Sequence, residues 1–136
     1  MKIRFVFLLM TVSFFLLGCS SDDNDVIAQI EDNSRYYVKY EVSMAFKSSP
    51  DMEITYLSDQ GEKTITVQSS EWEGTYGPFP KNTTFSIGVT TNGTIYSTRD
   101  SYVRLSVSKN QEPFVIKGED RETRKQFYLI TYKIDF

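Results

Sequence analysis

From Tyr36 onward, apolar side chains recur at every second position of this chain. In YYVKYEVSMAF, Val38, Tyr40, Val42, Met44 and Phe46 alternate with Tyr37, Lys39, Glu41, Ser43 and Ala45. Successive side chains of a strand point to opposite faces, so a period of two marks a strand with one face buried. An amphipathic helix would need a period of about 3.6. The same alternation returns at Met52, Ile54 and Tyr56, at Phe85, Ile87 and Val89, and at Val103, Leu105 and Val107. It ends the chain at Tyr128, Ile130, Tyr132, Ile134 and Phe136. No stretch after the first residues sustains a helical period.

The connections fit the same reading. Asp59-Gln60-Gly61 suits a three-residue hairpin, because Gly accepts a positive φ without steric cost. Asn92-Gly93 is a strong hairpin signal, which makes TIYST a return strand. EWEGTYGPFPKN breaks the alternation with two Gly and two Pro and reads as a loop. PFVIK is a short apolar piece, and the charged segment Gly118–Gln126 has room for a single helical turn. About seven or eight short strands with frequent turn signals predict an all-β fold, a single antiparallel β-sandwich of immunoglobulin-like architecture.

The N-terminus follows different rules. Lys2 and Arg4 precede the apolar run Phe5–Leu17, which is shorter than the about 20 residues a membrane-spanning helix needs. A basic start, a short apolar run and small residues form the layout of a secretory signal peptide. LLGC, Leu16 to Cys19, resembles the lipobox of bacterial lipoproteins. That resemblance implies cleavage before Cys19, with lipid on its sulfur and an acyl chain on its amine. A single acyl chain anchors only marginally, whereas several give stable attachment.

The next residues, Ser20, Ser21, Asp22 and Asp23 in SSDDND, resemble the surface-export signal of lipoproteins in the Bacteroidota. The implied location is the outer membrane, with the protein lipid-anchored and exposed at the cell surface. The plainer alternative is a solvated acidic tether. The expected organisation is thus a signal peptide at 1–18, a lipidated acidic tether at 19–34 and a β-sandwich domain at 35–136. The aromatic ending also resembles the last strand of outer-membrane barrels, but those need strands of about 9 to 11 residues, and several here are shorter.

Charge and composition exclude several functions. The whole sequence carries a formal charge of −3, and removing Lys2 and Arg4 makes the remainder more acidic. No basic footprint for nucleic acid is left, and anionic lipid would not attract the chain. Histidine is absent and Cys19 is the one cysteine, so imidazole catalysis, thiol catalysis and zinc sites built from either lose their ligands. Without a disulfide the domain depends on a hydrophobic core, for which nine Tyr and the six Phe beyond the N-terminal run supply material.

Carboxylate chemistry stays open. Glu71 and Glu73 flank Trp72, and side chains two apart on an extended backbone sit roughly 6 to 7 Å apart, which overlaps the spacing of glycosidase carboxyl pairs. Solvated charges are the plainer reading of such a pair. Asp22, Asp23 and Asp25 lack the glycine-containing loop of a calcium site. Glu119, Asp120 and Glu122 are interleaved with Arg121, Arg124 and Lys125. No metal and no cofactor is expected.

Trp72, Tyr76 and Phe79, on a segment stiffened by Pro78 and Pro80, form a candidate binding surface for protein or glycan, with Tyr37 a second exposed aromatic. The alternative is that Trp72 and Phe79 fold back into one end of the sandwich.

VKYEV, ITYLSDQGE, Trp72 and the GPF turn are similar to the opening of the MmpS-type small membrane proteins, over Val38 to about Phe79. That resemblance implies an extracytoplasmic β-sandwich serving as an accessory to a larger lipid transporter. The chain departs from the family in having a lipobox where the family has a transmembrane helix, and in lacking its C-terminal cysteines. The expected function is a non-catalytic, membrane-anchored surface lipoprotein, a binding or accessory module of a cell-envelope complex. One alternative is a structural or adhesin subunit pairing through a sheet edge, for which Phe127–Phe136 is the strand to inspect. A remote alternative is a carboxylate-dependent glycan hydrolase.

Overall fold

Among the described residues, regular structure consists of eight strands: β1 (Tyr36–Ser43), β2 (Met52–Ser58), β3 (Gly61–Val67), β4 (Glu71–Phe79), β5 (Thr84–Thr91), β6 (Tyr102–Lys109), β7 (Val115–Asp120) and β8 (Phe127–Lys133). The computed structural model describes residues 32–48, 50–95, 100–123 and 125–135. Cys19, Ser20, Ser21, Asp22 and Asp23 lie outside them, as does Phe136.

The strands form two four-stranded sheets, β4-β1-β6-β7 and β3-β2-β5-β8, with every neighbouring pair antiparallel. This is the expected all-β sandwich. Its core is the set of alternating residues read from the sequence: Val38, Tyr40, Val42 and Met44 from β1 and its extension, Met52, Ile54 and Tyr56 from β2, Phe85, Ile87 and Val89 from β5, Val103, Leu105 and Val107 from β6, and Tyr128 and Ile130 from β8. Each fully buried side chain of this size favours the folded state by about 1.5–3 kcal/mol before its entropy cost.

The immunoglobulin plan is legible in six strands. β8-β5-β2-β3 follows the order of the sheet that carries the second hairpin of a variable-type domain, and β1 pairs with β4 as the corresponding strands do there. The departure is at β6, which takes the place beside β1 that the first strand of such a domain would fill.

Two expectations are corrected. EWEGTYGPFP is not a loop but the edge strand β4, paired with β1 from Ser43↔Glu71 to Tyr36↔Phe79. Its alternation is real: Glu71, Glu73 and Thr75 are exposed, while Trp72, Gly74 and Tyr76 turn to the other face. The glycines and prolines hid this pattern, although Gly74 pairs in register with Tyr40, Pro80 follows the strand, and Gly77 and Pro78 share one bulge. There Gly77 and Pro78 oppose the single residue Tyr37. Gly77 has φ +137, and a Cβ on it would lie 2.8 Å from both the Tyr36 carbonyl oxygen and the Tyr37 ring. An edge strand can carry Pro78 because one side of its ladder is unpaired.

The second correction concerns Asn92-Gly93, which is not a hairpin turn. β5 pairs with β2 and β8, and the chain leaves it with the Asn92 N–H donating to the Asp51 carbonyl. Of the proposed return strand, Ile95 makes one isolated bridge to Phe46, and residues 96–99 lie outside the described set.

The turn with two positive φ angles is instead Asn110-Gln111, at 49° and 70°, closed by the Glu112 N–H donating to the Lys109 carbonyl at 2.8 Å. Asp59-Gln60-Gly61 does join β2 to β3, with Gly61 at φ +98. The charged segment does not become a helical turn at its start, since Gly118–Asp120 completes β7.

Candidate functional site

The outward side chains of the first sheet form a ladder of alternating charge that crosses all four strands. Lys39 Nζ lies 3.2 Å from Glu73 on β4 and 3.3 Å from Glu41 on β1. Arg104 on β6 reaches Glu41 at 3.7 Å and Glu119 on β7 at 2.7 Å, and Arg121 closes the row on Glu119 at 2.9 Å. The pairing follows from register, because Glu41 sits opposite both Glu73 and Arg104 and Arg104 opposite Glu119. Two carboxylates facing each other would repel, and Lys39 offsets that by binding both. The hydrogen bond to Glu73 raises the Lys39 ammonium above its ordinary value. Arg121 and Arg104 hold the Glu119 carboxyl below its ordinary value. Arg104 and Arg121 also lie over the Tyr102 ring, at 4.6 and 5.4 Å.

At one end of this ladder Glu41, Val42, Ser43, Glu71, Trp72, Glu73 and Tyr102 line an open hollow of about 360 Å³. Glu71 and Glu73 face solvent on the outer side of β4, whereas Trp72 turns the other way. The Trp72 ring packs 5.0 Å from Tyr56, which is 5.0 Å from Tyr76 and 5.8 Å from Tyr40. This four-ring cluster fills the flank between β4 and β2. Burial pushes the Tyr40 and Tyr76 phenols above the usual tyrosine range, and the Tyr40 hydroxyl donates to the Leu57 carbonyl at 3.1 Å. Phe79 is buried and meets Phe85 edge-on at 5.0 Å.

The candidate aromatics lie on two different faces. Trp72 and Tyr76 are half-buried and Phe79 buried on the inner side of β4, while Tyr37 stands on the outer face of β1. What the structure does bring together is Tyr37 with Phe114, which has no counterpart in the sequence reading. With Thr75, Ser108, Gln111 and Glu112 they line a mostly apolar hollow of about 340 Å³. Phe114 follows the Asn110-Gln111 turn, so finding it required recognising that turn.

Sequence reasoning also missed Phe127 and Leu129, exposed on β8 at 56% and 59%. The signal was present, because FYLITY is apolar on both of its alternating faces. Among the described residues no cluster of acidic or cysteine side chains is arranged to hold a metal ion. No protein-family model matches the chain, and no curated protein matches it either.

Proposed function

We propose that this chain is a non-catalytic lipoprotein, anchored in the outer membrane through Cys19 and displayed at the cell surface. Its β-sandwich serves there as a binding or accessory module of an envelope complex. The observation that carries this reading is the position of the one cysteine. Cys19 directly follows the apolar run Phe5–Leu17 and the small residue Gly18, and directly precedes Ser20, Ser21, Asp22 and Asp23. Several acyl chains at one residue hold a small domain at a membrane stably.

The geometry of the sandwich supports a binding role over the carboxylate alternative. A glycan hydrolase needs one carboxyl able to donate a proton. Lys39 and Arg104 flank Glu41, and Lys39 also binds Glu73, so both carboxylates are taken up in the ion-pair ladder of the sheet face. Trp72, the side chain that would stack on a sugar between Glu71 and Glu73, turns away from both. The hollow lined by Tyr37 and Phe114 is the best candidate contact for a partner's apolar side chain or sugar ring, since its lining is mostly apolar with Thr75, Gln111 and Glu112 beside the rings.

A structural-subunit reading is favoured by one observation, that β8 is an edge strand with apolar outward residues. Chemical crosslinking in intact cells followed by affinity capture of the full chain tests the accessory role. The expected result is one stoichiometric envelope protein whose yield falls at least tenfold with Phe114→Lys. Capture that ignores Phe114→Lys would remove the Tyr37–Phe114 hollow from the reading.

A further inference from the structure

The sandwich has four sheet edges, and three of them carry features that discourage pairing with another strand. β4 contains Pro78 and the bulge at Gly77. β7 has a register shift opposite Leu105 and Ser106, together with Lys117, Glu119 and Asp120. β3 carries Glu62 and turns Lys63, held by Gln60, toward its half-buried side. β8 has no proline, bulge or register shift, and its one charge, Lys133, stands at its end. It pairs with β5 without interruption from Phe127 to Lys133, contains neither Pro nor Gly, and runs uncharged from Phe127 to Tyr132. Its outer face adds Phe127 and Leu129, among the most exposed large apolar side chains of the described residues.

We propose that β8 is an interface between two copies of this chain, which pair β8 to β8 antiparallel about a two-fold axis at Ile130. The two inner sheets then join into one continuous sheet. In that register Leu129 faces Thr131 of the second copy, and both lie on the outer side. Phe127 faces the second copy's Lys133, which places an ammonium beside a ring. The two Lys133 side chains stay at opposite ends of the ladder, where a parallel pairing would place them side by side.

Closure about a two-fold also covers the apolar edge of both copies at once, which a chain of head-to-tail contacts would not do. β7, whose Gly118 packs on Ile130, pairs with β6 in the other sheet and makes no ladder with β8. A strand pair with a few outward side chains is smaller than the interface of a tight dimer, so the association depends on concentration and is favoured where copies share a surface. The proposal stands whether or not Cys19 carries lipid.

The test uses two differently tagged full-length chains in one cell, one with Leu129→Cys and the other with Thr131→Cys. Side chains directly opposed across an antiparallel pair have Cβ atoms about 4.5–5.5 Å apart, close to what a disulfide spans. Mild oxidation should link the two tags at least tenfold more than a Thr64→Cys and Thr66→Cys pair on the β3 edge, which also sets the background from Cys19. Phe127→Lys, an exposed change, should return the yield to that background. A yield no higher than the β3 control overturns the proposal, as does linkage that survives Phe127→Lys. Linkage to a different protein in place of a second copy would also overturn it and would make β8 a docking edge for a partner's strand.

Discussion

Gly118 of β7 and Ile130 of β8 meet where the two sheets close on each other, and a Cβ on Gly118 would run into the Ile130 Cγ2. The residue that reads in sequence as part of a charged connection is thus a packing residue. Gly118→Ala is expected to lower stability by about 1–3 kcal/mol, the range for inserting a methyl into a filled space. Denaturant unfolding of the full chain measures it. Ile130→Ala removes the obstructing methyl, so the double variant should lose clearly less than the two single losses added together. Simple additivity would mean that the sheets do not touch there.

Gln111 holds φ 70 in the turn between β6 and β7, beside Asn110 at 49. Asn tolerates this region, whereas Gln has no such compensation. Gln111→Gly should stabilise the domain by about 0.5–1 kcal/mol once the extra freedom of glycine in the unfolded chain is counted. Thermal unfolding would show it as a rise in midpoint. A fall would mean that the glutamine side chain contributes more than its backbone costs.

These turns show where the sequence was readable. Strands whose one face is buried announced themselves, and every inward residue named for β1, β2, β5 and β6 lies in the core or packs against it. Asn92-Gly93 has the composition of a tight hairpin, yet β5 already has β2 and β8 as partners, so the chain after it is not needed as a ladder strand. β4 was hidden for the opposite reason. Gly77 and Pro78 sit at a bulge on an edge, where a strand tolerates them, and a local pattern cannot reveal that a neighbour is present on one side only. The hollow that Tyr37 and Phe114 both line joins residues far apart in sequence through β1, β6 and the turn, so periodicity carried no trace of it.

Trp72 is a packing residue of the flank, its ring tilted against Tyr56 at 5.0 Å. Trp72→Ala should cost about 2–3 kcal/mol, below the full range for a completely buried aromatic because the ring is half-exposed. Glu71→Gln, on the exposed face of the same strand, should change stability by less than about 0.5 kcal/mol. Equilibrium unfolding of both variants separates them. A neutral Trp72→Ala would restore this side chain as a free binding anchor.

The chain contains no histidine, so its stability should be nearly flat across neutral pH. On the acid side, Arg121 and Arg104 depress Glu119, while Ser34 and Lys81 depress Asp32. Asp120, despite its partial burial, is lowered by Lys125. A depressed folded pKa contributes stability above the unfolded value and loses it as pH falls, so the decline begins near the ordinary values of 4.5 and 3.8. On the alkaline side, burial and the Asp135 carboxylate push Tyr132 up to about 12, and burial raises Tyr40 and Tyr128. These groups stabilise the fold below the unfolded tyrosine value of 10.0 and lose that contribution as pH climbs through the folded values. Unfolding midpoints measured from pH 3 to 12 should form a plateau with two shoulders. A step between about pH 6 and 8 would contradict the assignment.

The most direct measurement is metabolic labelling with radioactive palmitate, followed by protease treatment of intact cells. The unmodified chain should take up label, Cys19→Ser should not, and external protease should digest the labelled protein. Asp22→Ala with Asp23→Ala should keep the label and become protected. An unlabelled wild-type chain would contradict the anchor, and a labelled chain that intact cells protect would contradict its outward face.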